Sequence, residues 1–114
     1  MVPLLRCEVT EDARMDLTLQ YGWYAQQAGD GIAERYLESF RRTTEALVRT
    51  PEAGVQRCFR NPQLAGLRSL QLSGGFRVHL VFYRIEGETL VVFRVLHGMR
   101  DLPRRLTEPP GAGD

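Results

Sequence analysis

Lysine is absent from this chain. All 15 basic residues are arginine, so amine chemistry such as Schiff-base formation has no side chain to carry it. The guanidinium keeps its proton and offers a planar fork of donors suited to carboxylates and phosphates. Acidic residues nearly cancel the arginines, leaving a formal charge of +1, and no bulk field draws the chain to nucleic acid. Cysteine is scarce too. Cys7 and Cys58 lack C-x-x-C spacing, which excludes a paired zinc or redox motif, although a single disulfide between them stays open. No apolar run approaches the roughly 18 residues of a membrane span, and no signal-peptide pattern is present. The expectation is a cytoplasmic protein with reduced thiols. The two histidines, His79 and His97, stand 18 residues apart, and neither a P-loop nor a G-x-G-x-x-G follows a strand. No metal and no cofactor are expected. Ser69, His79 and Asp101 supply the residue types of a hydrolytic triad, but nothing in their spacing brings them together.

With 114 residues, the chain is one domain's worth, assigned here to residues 1–106 with a disordered tail over 107–114. Its hydrophobic period switches once, from helical to strand. Residues 4–9 read as a short strand, and Thr10 is a helix N-cap with Glu11 and Asp12 in the first turn, where they suit the helix dipole. The first helix covers 11–27 with a core stripe of Ala13, Leu17, Tyr21, Tyr24 and Ala28. Gly29 ends it and Asp30 caps the next. The second helix, 31–49, buries Ile32, Tyr36, Phe40 and Leu47, flanked by Ala33, Leu37 and Val48, and stops at Thr50-Pro51. Its other face, with Glu38, Arg42, Glu45 and Arg49 in favourable i,i+4 pairs, is solvated. Residues 51–66 show no period and form a long loop. Strands over 67–72, 76–85 and 89–96 follow, joined at Ser73-Gly74-Gly75 and Glu86-Gly87-Glu88 into an antiparallel meander. The fold class is α+β: N-terminal strand, helix hairpin, three-stranded meander.

Alternation in the middle strand places Val78, Leu80 and Phe82 against the helices and Arg77, His79, Val81 and Tyr83 on a mixed polar face. That face reads either as ordinary amphipathic strand chemistry or as a surface for phosphate, acidic peptide or base stacking. Arg94 lies among Leu90, Val92 and Leu96, a costly place for an unpaired cation, so it requires a carboxylate or a route to the sheet edge. His97 ends the last strand, Gly98 allows a sharp exit, and Arg100 and Asp101 follow. Asp101 is available to cap a short turn or to pair with Arg100 or Arg94. Arg104 and Arg105 are too brief a run to form a nucleic-acid patch alone. On the first helix, Met15, Leu19 and Trp23 form a second apolar stripe about 160° from the core stripe, counting 100° per residue. Its cover is the second helix, the 51–66 loop or a partner chain, the last favoured because exposed aromatic and Met side chains suit interfaces.

Several short runs occur in a telling order: Ala13-Arg14-Met15-Asp16-Leu17, Pro51 with Gly54, Leu67-Arg68-Ser69, Phe82-Tyr83-Arg84, and the closing Arg94-Val95-Leu96-His97-Gly98-Met99-Arg100-Asp101-Leu102. In this order they resemble the ParE branch of the RelE/ParE family of bacterial type II toxins, over about residues 9–102. The resemblance implies a toxin neutralised by a cognate antitoxin whose disordered segment folds across it. ParE-type members inhibit DNA gyrase, whereas RelE-type members cut mRNA on the ribosome. RNA cleavage needs a base, an acid and cations for the phosphorane, commonly Lys or Arg with a late Tyr or His in RelE-like sites. This chain has no Lys and no Tyr after Tyr83. His79, His97, Arg77 and Arg94 compose such a site only on paper. The resemblance therefore implies gyrase inhibition with no catalytic residue, the alternatives being a RelE-like mRNA endonuclease or an inactive antitoxin-binding homologue. The candidate target or antitoxin surface comprises Arg68, Arg77, His79, Tyr83, Arg94, His97, Arg100 and Asp101, with Arg104 and Arg105 beside it; Met15, Leu19 and Trp23 form the candidate apolar interface. Antitoxin, gyrase and a second copy of the chain are the partners implied, with DNA reached only through antitoxin or gyrase and no membrane.

Overall fold

A computed structural model describes residues 4–112 of the chain. The elements run β1 (Arg6–Val9), α1 (Glu11–Ala28), α2 (Asp30–Arg49), β2 (Val55–Gln56), β3 (Arg68–Gln71), β4 (His79–Glu86), β5 (Thr89–His97) and a short α3 (Arg104–Thr107). The Thr10 hydroxyl caps α1 by accepting from the Ala13 N–H. Gly29, at φ +93°, breaks the chain between the two helices, a conformation that suits glycine.

The sheet has five strands in the order β1-β5-β4-β3-β2, where the sequence leads one to expect the three-stranded meander with the N-terminal strand paired to one of its members. The meander β3-β4-β5 forms its antiparallel centre. Two strands extend it: β1 pairs in parallel with β5, and β2 adds a two-residue edge from within the supposed loop. The chain before β4 also differs. Residues 74–76 form a 3-10 turn rather than the start of a strand, so Arg77 and Val78 precede the sheet.

Side-chain parity in β4 is the reverse of the sequence expectation. Val81 and Tyr83 join Ala13, Tyr36, Leu47, Leu90, Val92 and Val95 in the core beneath the helices. Leu80 and Phe82 face the opposite way, packing with Leu64, Leu67, Leu96 and Leu106 in a second core. His79 through Tyr83 are all buried, so this strand is covered on both faces and its alternation carries little information. A β-bulge switches the faces of β5 instead: Phe82 pairs with Arg94 and Tyr83 with Val92, leaving Phe93 as the extra residue, so that Leu90 and Val92 share a core with Val95. The second core is roofed by irregular chain, with Phe59, Phe93 and Leu102 at its margin. Each fully buried large side chain there, such as Leu64, Leu67 or Phe82, contributes roughly 1.5–3 kcal/mol of transfer free energy.

Candidate functional site

Because β1 stops at Val9, opposite Val92, the edge of β5 beyond that point has no strand beside it. The N-cap and one face of α1 supply the missing partners. Thr10 donates its N–H to the Val92 carbonyl and its hydroxyl to Phe93, while Gln20 Nε2 donates to the Val95 carbonyl. The Val95 N–H in turn donates to Asp16 Oδ2 at 3.0 Å. Arg94 then reaches round the same edge. Its Nε and Nη2 donate to the two oxygens of Asp16 at 2.8 and 2.9 Å, a bidentate pair that is almost wholly buried. The remaining Nη1 donates to the carbonyls of Arg105 and Glu108, which ties the C-terminal segment to β5. The carboxylate that Arg94 requires is thus Asp16. Asp101 accepts from Arg104 instead, with backbone in the left-handed region at φ +62°.

Above this pair runs a groove of about 490 Å³ between α1, the ends of β4 and β5, and the C-terminal segment. Leu19, Trp23 and Leu96 give it apolar walls; Gln20, Tyr24, His79, His97 and Arg105 give it polar ones. His79 is only 3% exposed and its Nε2 lies 2.8 Å from the Tyr24 hydroxyl, while its Nδ1 has no partner among the described residues. Burial, aided by the neighbouring His97, pushes the His79 pKa down to about 4, so the ring is neutral at pH 7. His97 faces it across the strand pair with ring centroids 5.2 Å apart, and is itself exposed. Beneath them the Tyr36 hydroxyl donates to Gln20 Oε1, and burial raises the Tyr36 pKa.

The second stripe of α1 is open. Trp23 is 58% exposed, and Met15 and Leu19 are each 48% exposed. Neither α2 nor the 51–66 loop covers it. Part of its cover comes from the C-terminal segment, where Gly111 sits against Leu19 and Pro109 and Ala112 line the groove. Within the 107–114 segment that the sequence marks as a disordered tail, Glu108 is held by Arg94 and Arg104. The last two residues of that expected tail, 113 and 114, lie outside the described residues.

Apart from Asp101, which pairs with Arg104, the candidate surface residues thus divide into three groups. His79 and His97 come together in the groove, with Arg94 at its floor. Arg68 and Tyr83 serve the frame: the Tyr83 hydroxyl donates to the Pro51 carbonyl and accepts from the Gly54 N–H, and Arg68 Nη1 donates to the Gly54 carbonyl. Gly54 is required there, since a Cβ would lie 2.5 Å from the Tyr83 hydroxyl oxygen. Arg77 and Arg100 stand exposed at the end of the sheet, and Arg77 shares no strand face with His79. Sequence reasoning missed Asp16, Gln20 and Tyr24 as site residues. For Asp16 a signal existed, in the demand of Arg94 for a carboxylate. Cys7 and Cys58 are both free and exposed.

The model of the ParE toxin of type II toxin-antitoxin systems (parDE) matches residues 7–102. The chain belongs to the ParE toxin family. That match spans α1, α2 and the strands of this ParE-family chain from the second residue of β1 through β5, while α3 and the groove-lining tail fall beyond it. No curated protein sequence matches it. Among solved structures it is similar to a chain of the chromosomal ParDE toxin-antitoxin system from P. aeruginosa, at 20% identity and a TM-score of 0.68, covering 84% of this chain and 98% of that one. At that identity the likeness speaks for the fold. No helix among the described residues is long and apolar enough to cross a membrane.

Proposed function

We propose that this ParE-family chain is a cytoplasmic toxin that arrests growth by binding DNA gyrase rather than by catalysis. We further assign the α1 groove to a segment of its antitoxin. The observation carrying the non-catalytic reading is the state of the groups an RNA-cleaving site would need. His79 is buried, bonded to Tyr24 and neutral; Arg94 is spent on Asp16 and backbone carbonyls; Arg77 is off the strand. A general base must reach its proton within about 3 Å, and a cation must face the developing charge. With His79 Nε2 held by Tyr24 and Arg94 engaged by Asp16 and backbone carbonyls, only His97 of the four candidates is left free in the groove, without the base-plus-cation set that RNA cleavage requires.

The antitoxin assignment rests on the open stripe. A partner segment laid along Met15, Leu19 and Trp23 removes the large exposed apolar groups of α1 from water, and Arg105 and His97 at the rim suit acidic residues on it. The deciding experiment expresses the chain without antitoxin, then assays purified protein on gyrase supercoiling and on ribosome-bound mRNA. Inhibited supercoiling with intact mRNA is the expected result. Cleaved mRNA with untouched supercoiling reverses the assignment to a ribonuclease, and no growth arrest at all indicates an inactive homologue.

A further inference from the structure

Beyond the groove, the open end of the β4–β5 pair carries a second surface. The Gly98 N–H donates to the Val78 carbonyl at 2.7 Å, which sets Val78 opposite Gly98, one residue from Met99, just past the last rung of the sheet. These two are 51% and 53% exposed, an apolar pair in water. Gly98 at φ +75° and Asp101 at φ +62° bracket Met99 and Arg100. A non-glycine residue in the left-handed region is uncommon and costs free energy that the surrounding structure must offset.

The unpaired charge around them is cationic, Asp101 being already paired with Arg104. Arg57 Nε is anchored on Ser69 Oγ, and its Nη2 points at the Met99 sulfur, 3.6 Å away. Arg77 precedes Val78 and Arg100 follows Met99 in sequence, and among the described residues neither side chain has a hydrogen-bonding or ionic partner. The carboxylate nearest in sequence, Asp101, is taken by Arg104, which also holds Glu108. In a chain of net charge +1, three unneutralised guanidinium groups around two exposed aliphatic side chains form a surface matched to carboxylates set around an apolar residue.

We infer that Arg57, Arg77, Val78, Met99 and Arg100 form the surface with which this chain grips an acidic patch on its protein target, separate from the antitoxin groove. Phosphate backbone is the lesser match, because it would leave Val78 and Met99 in water and finds no aromatic platform here. The inference rests on the toxin reading only for the identity of the target. The surface itself is defined without it.

The test is the triple variant Arg77→Glu, Met99→Asp, Arg100→Glu, with the single variants Arg77→Glu and Arg100→Glu beside it in case the triple fails to fold. Growth arrest is titrated by inducer, antitoxin affinity is measured directly, and purified gyrase holoenzyme and a duplex DNA oligonucleotide are the binding probes. The expected result is a loss of growth arrest of at least 100-fold for the triple variant and at least tenfold for each single, with antitoxin affinity within twofold of wild type. If wild type arrests growth without touching gyrase and the variants relieve that arrest, this surface stands and the gyrase assignment falls. Variants as potent as wild type overturn the surface and leave the gyrase reading intact. It is overturned equally by a parallel loss of antitoxin affinity in folded variants, by a wild-type chain that arrests nothing, or by patch-dependent binding of the oligonucleotide with no effect on gyrase.

Discussion

Arg94 and Arg100 stand six residues apart, and their surroundings could hardly differ more. Arg94 spends its guanidinium on both oxygens of Asp16 and on carbonyls of the C-terminal segment, out of water. Arg100, with Arg77 nearby, has no side-chain partner among the described residues and stands in solvent. The first arrangement fixes three parts of the chain to one another. The second leaves binding capacity unused. In this fold a polar residue embedded in an apolar strand marks framework, and the unremarkable arginines at the strand end mark available surface.

Breaking the paired side should have the largest effect. Arg94→Leu leaves Asp16 buried with only the Val95 N–H for company, and the expected loss is about 3–5 kcal/mol of folding free energy in urea titration. Restoring balance with Asp16→Leu in the same chain should recover part of that loss, because an apolar pair of similar volume avoids the stranded charge. A loss below about 1 kcal/mol for Arg94→Leu would mean that the pair is relaxed and solvated, and the contrast with Arg100 would vanish.

Much of the helical half was legible. The Thr10 cap, the break at Gly29, the stop at Thr50-Pro51 and the exposed stripe of Met15, Leu19 and Trp23 all follow from local chemistry and a 3.6-residue period. The faces of β4 were not. Polar atoms on His79 and Tyr83 argue for solvent, yet both side chains are buried: His79 Nε2 bonds to Tyr24 while its Nδ1 goes without a partner among the described residues, and the Tyr83 hydroxyl is held by the 51–54 turn. A two-residue edge such as β2 has no period to read at all. The role of Asp16 depends on the third dimension, since 78 residues separate it from Arg94.

His79 sharpens the comparison from the titratable side. Its pKa is about 4 in the folded chain against 6.5 as the ordinary value, so between these pH values the unfolded chain binds a proton that the folded one refuses. Stability from this group is therefore complete above pH 6.5 and falls as pH drops toward 4, by up to about 3 kcal/mol. Thermal unfolding of wild type and His79→Phe from pH 7 to 4.5 isolates it. The variant should lose less stability on acidification than wild type. Parallel curves would place the His79 ring in contact with water.

Trp23 is the corresponding test of the groove. Its indole is mostly in solvent, so Trp23→Ala should alter folding stability little, while weakening antitoxin binding by about 2 kcal/mol or more. Calorimetric titration against the antitoxin reads the second quantity and thermal unfolding the first. A stability loss near that expected of Arg94→Leu, with antitoxin affinity unchanged, would make the stripe framework rather than interface.

The smallest effect is expected at the other pole of the comparison. Arg77→Ala and Arg100→Ala remove side chains that touch no acceptor among the described residues, so each should change folding free energy by no more than about 0.5 kcal/mol. Losing a cation from a cationic cluster also relieves like-charge repulsion, which places the sign at neutral or slightly stabilising, and more so at low salt, where screening is weak. Urea titration at two ionic strengths checks both points. A loss above about 1 kcal/mol would reveal a carboxylate or carbonyl partner for these arginines, and with it a framework role that removes them from the available surface.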